Sequence, residues 1–163
     1  MNNIILIGVP GAGKSTVGVI LAKTLGLHFT DTDIVMQEHA GRLLQDIIDT
    51  EGLDAFKKLE EETILSLDCQ NTVIATGGSV VFSEKAMEHL KSGGVVIYLK
   101  ISLEVMVRRL KNITTRGIVL VPGQSLPGMY HERIPLYEKY TDRTVDCSGD
   151  DFEKSVEKVI AAL

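Results

Sequence analysis

The sequence contains no tryptophan and only two cysteines, and aromatic residues make up 5% of its 163 positions. Two cysteines are too few for a disulfide framework, so we expect a reduced protein of the cytoplasm. The scarcity of aromatic side chains argues against a stacking platform for single-stranded nucleic acid. These absences exclude the small disulfide-stabilised class and disfavour one class of polymer binder.

Basic excess and long apolar runs are also missing. The formal net charge is −5, whereas nucleic-acid binders usually carry a positive excess or a basic stripe. No apolar run reaches the roughly 20 residues that a membrane-spanning helix needs. No basic cluster precedes the first apolar stretch, so we expect no signal peptide. We therefore expect a small molecule as partner, and neither a nucleic acid nor a membrane. We also expect the protein to be a monomer.

Apolar residues supply 44% of the chain, which is enough for a core, and 163 residues are the size of one ordinary domain. Short aliphatic runs alternate with segments of helical periodicity. Strands are predicted at 4–7, from 28, at 72–75, 95–99 and 144–147, and helices at 14–25, 33–40, 43–48, 54–67, 83–91, 103–111, 130–140 and 151–163. This alternation predicts an α/β fold, a three-layer α/β/α sandwich around a parallel sheet. Residues 112–128 are expected to be irregular, and Pro135 is expected to break or kink its helix.

The first strand leads into GVPGAGKS, residues 8–15, which fits the pattern G-x-x-x-x-G-K-[ST] in full. Glycines allow successive backbone N–H groups to face a phosphate chain, and the following helix adds positive charge at its N-terminus. Lys14 can reach the β- and γ-phosphates, and the Ser15 hydroxyl can bind Mg²⁺. The alternative, a glycine-rich turn with a solvated lysine, is disfavoured by the strand and helix on either side. The candidate nucleotide-binding residues are Gly11, Ala12, Gly13, Lys14, Ser15 and Thr16.

Two further clusters follow the second and third strands, where ligands of parallel sheets gather. In DTD, Asp31 and Asp33 offer one carboxylate for Mg²⁺ and one to orient or deprotonate a hydroxyl nucleophile. The alternative for either is a helix N-cap. Gly77 and Gly78 after VIAT permit close approach of a substrate to the backbone, or form a simple turn. No aspartate ends this strand, so Asp31 is the natural metal ligand.

The order of these segments resembles the shikimate kinase family. The resemblance runs from Ile4 to the C-terminal helix and rests on GVPGAGKST, DTD, GLDAFKKLEEE, ATGG, RR at 108–109, TTR and ERIPLY. It implies the nucleoside monophosphate kinase fold, with a five-stranded parallel sheet and a lid at about 112–128. It also implies ATP-dependent, Mg²⁺-assisted transfer of phosphate to the 3-hydroxyl of shikimate, a step of aromatic amino acid biosynthesis.

The resemblance also implies roles for individual residues. Asp33 corresponds to the aspartate that contacts the shikimate hydroxyls and is the candidate base, and Asp31 corresponds to the aspartate near Mg²⁺. Arg133 corresponds to an arginine that binds the substrate carboxylate, Gly77 and Gly78 to pocket glycines, Arg116 to a lid arginine that reaches the ATP phosphates, and Arg109 to an arginine near adenine. The implied catalytic set is Asp33, Lys14 and Arg116.

Three departures from the family pattern concern the acceptor site and the lid. Lys57 stands where the family has an arginine, and lysine offers a point charge in place of two parallel hydrogen bonds. Ser79 replaces a third pocket glycine, and Gly117 follows Arg116 where the family has proline. Lys57 stays a candidate substrate-binding residue. Its alternative is a solvated helix charge, because the run from Lys57 to Glu62 is expected to face mostly solvent. Glu60, one turn away, is a candidate to orient Lys57.

The altered acceptor residues leave other functions open beside a shikimate-type kinase. The reaction could have another small hydroxy acid or polyol as acceptor. A nucleotide-binding regulator without transferase activity is the second alternative, although such a protein has no need for a candidate base at Asp33. A nucleoside monophosphate kinase is disfavoured, because such enzymes bind two phosphate groups with several arginines and this acceptor region has few.

Overall fold

The computed structural model describes residues 2–111, 120 and 122–163. Five parallel strands form one sheet in the order β2-β3-β1-β4-β5. The strands are β1 Asn3–Ile7, β2 His28–Asp31, β3 Thr72–Ala75, β4 Gly94–Lys100 and β5 Arg143–Asp146. Every residue of β1 is buried, as its uninterrupted apolar run predicts for the central strand of a covered sheet.

Helices connect the strands and cover both faces of the sheet. They are α1 Lys14–Leu25, α2 Thr32–Ala40, α3 Leu44–Glu51, α4 Leu53–Ser66, α5 Glu84–Gly93, α6 Leu103–Leu110, α7 Leu126–Tyr140 and α8 Phe152–Ala162. The chain leaves β1 in one direction along the sheet and returns through β3 to β4 and β5 in the other. Right-handed crossovers therefore place α1 on one face and α4 and α5 on the opposite face. The α/β class and the five-stranded parallel sheet are confirmed.

The core lies between the sheet and these helices, with a smaller apolar cluster beneath the α2–α4 segment. That second cluster contains Met36, Leu44, Ile47 and Phe56, all buried. The cluster holds α4 beside the carboxyl ends of the strands, because Phe56 of α4 packs into it. The consequence is that one face of α4 is turned towards the loops that follow β1 and β3.

Helix α7 differs from the sequence prediction at its start and at its middle. It begins at Leu126, inside the stretch expected to be irregular, because the Ser125 hydroxyl accepts the Gly128 backbone N–H at 3.1 Å and Pro127 is tolerated in the first turn. The helix also continues through Pro135 without a break. Buried Arg133 and Tyr137 hold the two sides of this position, so packing outweighs the lost backbone hydrogen bond.

The predicted lid lies mostly outside the described residues, which omit 112–119 and 121. Arg116, the implied lid arginine, is among the residues that are not described. Within the described part of the chain, no helix combines the length and the apolar character that crossing a membrane requires.

Candidate active site

The phosphate loop between β1 and α1 has the backbone geometry expected from its glycines. Gly13 precedes α1 in the left-handed region at φ 91°, and no side chain among the described residues caps the helix there. The first-turn N–H groups of α1 are therefore available to an anion, reinforced by the helix dipole. A Cβ on Gly13 would lie 2.7 Å from Cε1 of Phe152, so glycine is also required by space.

The Lys14 side chain is folded over this loop. Its Nζ donates to the backbone oxygens of Gly8 at 2.6 Å and Val9 at 3.0 Å, and only 8% of the residue is exposed. The ammonium charge is thereby held among inward-facing backbone groups. Ala12 is buried and contributes backbone, whereas Thr16 lies exposed in the first turn of α1. The loop concentrates positive potential at one point.

Ser15 and Asp31 meet beside the loop. The Ser15 hydroxyl donates to Oδ2 of Asp31 at 2.5 Å, while Oδ1 of Asp31 accepts the Asp33 backbone N–H at 2.9 Å. Asp31 is thus the N-cap of α2 and a partner of the phosphate-loop hydroxyl at once, and the cap alternative applies to it and not to Asp33. The Ser15 hydroxyl oxygen and the Asp31 carboxylate are hard ligands of the type that Mg²⁺ prefers, so this pair fits a magnesium ion.

A polar cavity opens next to the loop, and it brings together most of the predicted site residues. Its wall includes Gly11, Gly13, Lys14, Ser15, Asp33, Gly77, Gly78 and Arg133. The first four come from the phosphate loop and the others from α2, the turn after β3, and α7. A carboxylate, a guanidinium and the phosphate-loop ammonium therefore border one space.

Gly77 and Gly78 lie where the backbone must approach charged side chains closely. A Cβ on Gly77 would lie 2.8 Å from Oδ1 of Asp33, and one on Gly78 would lie 2.8 Å from Cδ of Pro10 and 3.1 Å from Nη1 of Arg133. Any side chain at either position would displace these groups. Close approach, not turn formation alone, accounts for both glycines.

Arg133 is the most deeply buried cation of the cavity. It is 2% exposed, and its Cζ lies 5.4 Å from the centroid of the Phe82 ring. Its helix is fixed nearby, because the Tyr137 hydroxyl donates to the Gly78 carbonyl at 2.5 Å and the Tyr137 ring stacks on Tyr98. Burial raises the pKa of Tyr137, so this hydroxyl stays a donor. A guanidinium held in this way can donate two parallel hydrogen bonds to a planar anion.

Lys57 lies outside this cavity. It borders an adjoining hollow together with Ser79 and Phe82, and its Nζ sits 4.6 Å from the centroid of the Phe82 ring. No ion pair joins Lys57 to Glu60 among the residues that the structure describes. The suggestion that Glu60 orients Lys57 is therefore wrong, and the aromatic ring holds the ammonium instead.

Glu60 is the residue of the cavity that the sequence reasoning missed. It is 3% exposed, so the prediction of a solvated face is wrong at this position. Burial first, and then the charge of Asp33, raise the pKa of Glu60 to about 7, against the lowering effects of the Ser79 hydrogen bond, Arg133 and Lys14. The signal was helical spacing, because Glu60 lies one turn after buried Phe56 on the inner face of α4.

Arg109 contacts the phosphate loop from α6. Its Nη1 donates to the Gly11 carbonyl at 2.8 Å and its Nη2 to the Gly149 carbonyl at 2.9 Å, and its guanidinium lies 5.3 Å from the ring centroid of Phe152. Arg109 is not part of the cavity wall described above. It braces the loop and the segment after β5 against each other.

Comparison with known proteins adds to this geometry. A family model described as shikimate kinase matches residues 10–163. The chain belongs to the shikimate kinase family. Members of the shikimate kinase family are ATP-dependent kinases, so the chain is assigned to the transferases that bind ATP through a phosphate loop.

Individual relatives of the shikimate kinase family match over almost their whole lengths. The shikimate kinase of Thermodesulfovibrio yellowstonii is 39% identical over 163 residues, covering 98% of this chain and 94% of the relative. That of Caldanaerobacter subterraneus subsp. tengcongensis is 36% identical, covering 99% and 96%. The solved shikimate kinase from Acinetobacter baumannii in complex with shikimate superposes with a TM-score of 0.89 at 30% identity, covering 98% of this chain and 91% of that one.

Proposed function

We propose that this chain transfers the terminal phosphoryl group of ATP to the 3-hydroxyl of shikimate. The observation that carries the proposal is the shared cavity, in which Asp33 and Arg133 face the same space as Lys14 and Ser15 of the phosphate loop. Phosphoryl donor and hydroxyl acceptor can meet only where both sets of groups border one volume. The membership in the shikimate kinase family supports shikimate as the acceptor.

The nucleotide end of the proposed site consists of the phosphate loop and the Ser15–Asp31 pair. Backbone N–H groups from Gly11 to Thr16 hold the phosphates, and Lys14 offsets the charge that spreads over the transferring group. Ser15 and Asp31 are the candidate ligands of Mg²⁺, which, when bound, neutralises phosphate charge. We place Arg109 near the base and Arg116, in a lid of about 112–128, near the phosphates.

The acceptor end consists of Asp33, Arg133 and the backbone at Gly77 and Gly78. Asp33 accepts the proton of the attacking hydroxyl, whose oxygen forms the new bond to phosphorus as the bond to the departing ADP breaks. Arg133 binds the acceptor carboxylate with two parallel hydrogen bonds. Lys57, held on Phe82 at the rim, contributes a second positive charge to the approach path of an anionic acceptor.

The remaining proposals concern the setting of the enzyme. We propose that the 163 residues form one domain that acts as a monomer in the cytoplasm, without nucleic acid as a partner. Two free cysteines and the net charge of −5 support this setting. Size-exclusion chromatography at several protein concentrations tests the monomer, and a concentration-dependent shift to a larger species would contradict it.

The test of the proposed reaction is ADP release from ATP in the presence of Mg²⁺, with and without shikimate. We expect turnover to depend on shikimate and to fall by about 300-fold in Asp33→Asn. The matched variant Asp54→Asn, altered at an exposed position of α4, should behave like the parent. A panel of other hydroxy acids and polyols is assayed in parallel. ATP binding without turnover at millimolar shikimate would contradict the acceptor proposal. Turnover with another panel member would then identify a different small-molecule kinase, and none at all would favour a nucleotide-binding regulator.

A further inference from the structure

Ser79 occupies a buried position in the turn that follows β3. It is 5% exposed, and its hydroxyl donates to Oε1 of Glu60 at 2.7 Å. Glu60 belongs to α4, so this bond joins the turn to the helix across the wall of the cavity. A glycine at position 79, which the family pattern has, offers no such donor. The bond therefore depends on a position at which this chain departs from the family pattern.

The second oxygen of Glu60 faces the acceptor side of the cavity. Oε2 is buried and has no hydrogen-bond partner among the described residues. A Cβ on Gly77 would lie 2.8 Å from this oxygen and 2.8 Å from Oδ1 of Asp33. The two carboxylates thus border the same small volume beside the Gly77 backbone. Because buried oxygens in folded proteins normally receive a hydrogen bond, Oε2 of Glu60 is a candidate to receive one from a bound ligand.

The groups around Glu60 divide into those that favour its charged form and those that oppose it. Arg133 from α7, Lys14 from α1 and the Ser79 hydroxyl favour the carboxylate, whereas burial and Asp33 from α2 oppose it. Tyr137 of α7 is also within electrostatic reach. Lys57, three residues earlier on α4, is drawn to Phe82 instead. Ser79 is therefore the neutral donor that both orients Glu60 and favours its ionisation.

We propose that Ser79 is a positioning residue for acceptor binding, whose hydroxyl holds Glu60 so that Oε2 accepts a hydrogen bond from a second hydroxyl of the acceptor beside Asp33. The inference rests on the proposed function, because it requires the acceptor to occupy this cavity. It goes further in naming a contact that selects acceptors with two hydroxyl groups. A free carboxyl would rotate and present either oxygen, whereas the bonded one presents Oε2 alone.

The first test compares the full chain with its Ser79→Ala and Ser79→Thr variants. For Ser79→Ala we expect the KM for shikimate to rise about tenfold, because shikimate loses its hydrogen bond to the charged Glu60 carboxylate. The kcat and the KM for ATP should stay within about twofold of the parent. Ser79→Thr keeps the hydroxyl and should restore the KM. An unchanged shikimate KM in Ser79→Ala would overturn the proposal. So would a rise in both KM values together with a lower melting temperature, because that pattern marks a structural role.

The pH profile of kcat/KM for shikimate supplies a readout that packing alone would not move. Removing the Ser79 donor takes away a group that lowers the pKa of Glu60, so this pKa rises. If the ionised Glu60 carboxylate accepts a hydrogen bond from the shikimate hydroxyl, the acid limb of the profile moves to higher pH in Ser79→Ala. In Ser79→Thr the acid limb stays in place. An acid limb that coincides in all three proteins would overturn the proposal. A parent without shikimate turnover would remove the proposed function and this inference together, whereas an active parent with an unaffected Ser79→Ala would remove only the role of Ser79.

Discussion

The phosphate loop and the acceptor cavity are built in different ways. The loop is one contiguous segment between β1 and α1, and its working groups are backbone amides and one lysine. The cavity beside it draws side chains from α2, α4, the turn after β3, and α7. The first region is encoded locally, whereas the second exists only once distant segments have packed.

This contrast separates the chemical step from the choice of acceptor. Backbone amides in the loop keep their positions whatever the neighbouring side chains are, so the loop suits a phosphate chain in any kinase of this type. The cavity instead depends on charged side chains from separate elements, and Glu60 interacts there with both Asp33 and Arg133. Substitutions there alter which molecule fits, and both acceptor-site departures, Lys57 and Ser79, adjoin Glu60.

Replacing Lys14 by alanine tests the loop and should have the largest effect. The variant loses the charge that stabilises the transferring phosphoryl group, so we expect kcat/KM to fall by about a thousandfold or more. Lys23→Ala, altered at an exposed position near the other end of α1, is the matched control. Steady-state assays with ATP measure both, and a Lys14→Ala activity within about tenfold of the parent would contradict the role of Lys14.

Replacing Asp33 by asparagine tests the cavity where it adjoins the loop. Asparagine preserves the shape but cannot take up the hydroxyl proton, so we expect kcat to fall by about 300-fold. Affinity for a non-hydrolysable ATP analogue, followed by thermal shift, should remain close to that of the parent. Loss of nucleotide binding would instead assign Asp33 to the metal or to the structure of the loop.

The fold was largely predictable because its signals are local. The apolar run at β1 and the helical periodicity of α1 and α8 each specify an element within a few residues. The start of α7 was missed because Ser125 and Pro127 lie in a segment rich in glycine and proline, where such residues equally mark turns. Local signals fail where one residue type serves both a cap and a turn.

The candidate site was predictable in the loop and only partly so in the cavity. DTD and the paired glycines were found because each follows a strand. Glu60 was not found, since a glutamate in a charged helical run is normally solvated and its burial depends on the turn that carries Ser79. The position of Lys57 on Phe82 depends likewise on a 3₁₀ turn, Val80–Phe82, far along the chain.

Glu60 makes the stability of the folded chain depend on pH. Its pKa is about 7 in the folded protein against an ordinary 4.5, so between these values the unfolded chain loses the proton first. The contribution of Glu60 to stability is therefore full below pH 4.5 and is lost as pH rises towards 7. Glu60→Gln removes this titration. From pH 5 to pH 8, we expect the variant to gain about 2–3 kcal/mol of unfolding free energy relative to the parent.

Urea unfolding at both pH values measures this difference. Glu62→Gln, altered at an exposed position of the same helix, is the matched control and should follow the parent at each pH. Parallel curves for the parent and Glu60→Gln would show that Glu60 does not titrate in this range. They would also show that burial in the cavity does not hold the Glu60 carboxyl group near neutrality.

Replacing Lys57 by arginine is the mildest probe, because it changes only the rim of the cavity. A guanidinium can remain on the Phe82 ring and still direct two parallel hydrogen bonds at a carboxylate, which an ammonium cannot do. With shikimate as the acceptor, we expect about a threefold lower KM and an unchanged kcat. Lys58→Arg, at the exposed neighbouring position, should leave both constants as they are. An unchanged or higher KM in Lys57→Arg would favour an acceptor whose carboxylate is absent or differently placed. Lysine at position 57 would then belong to a changed acceptor specificity. It would not be a weaker version of the carboxylate contact that the family makes with arginine.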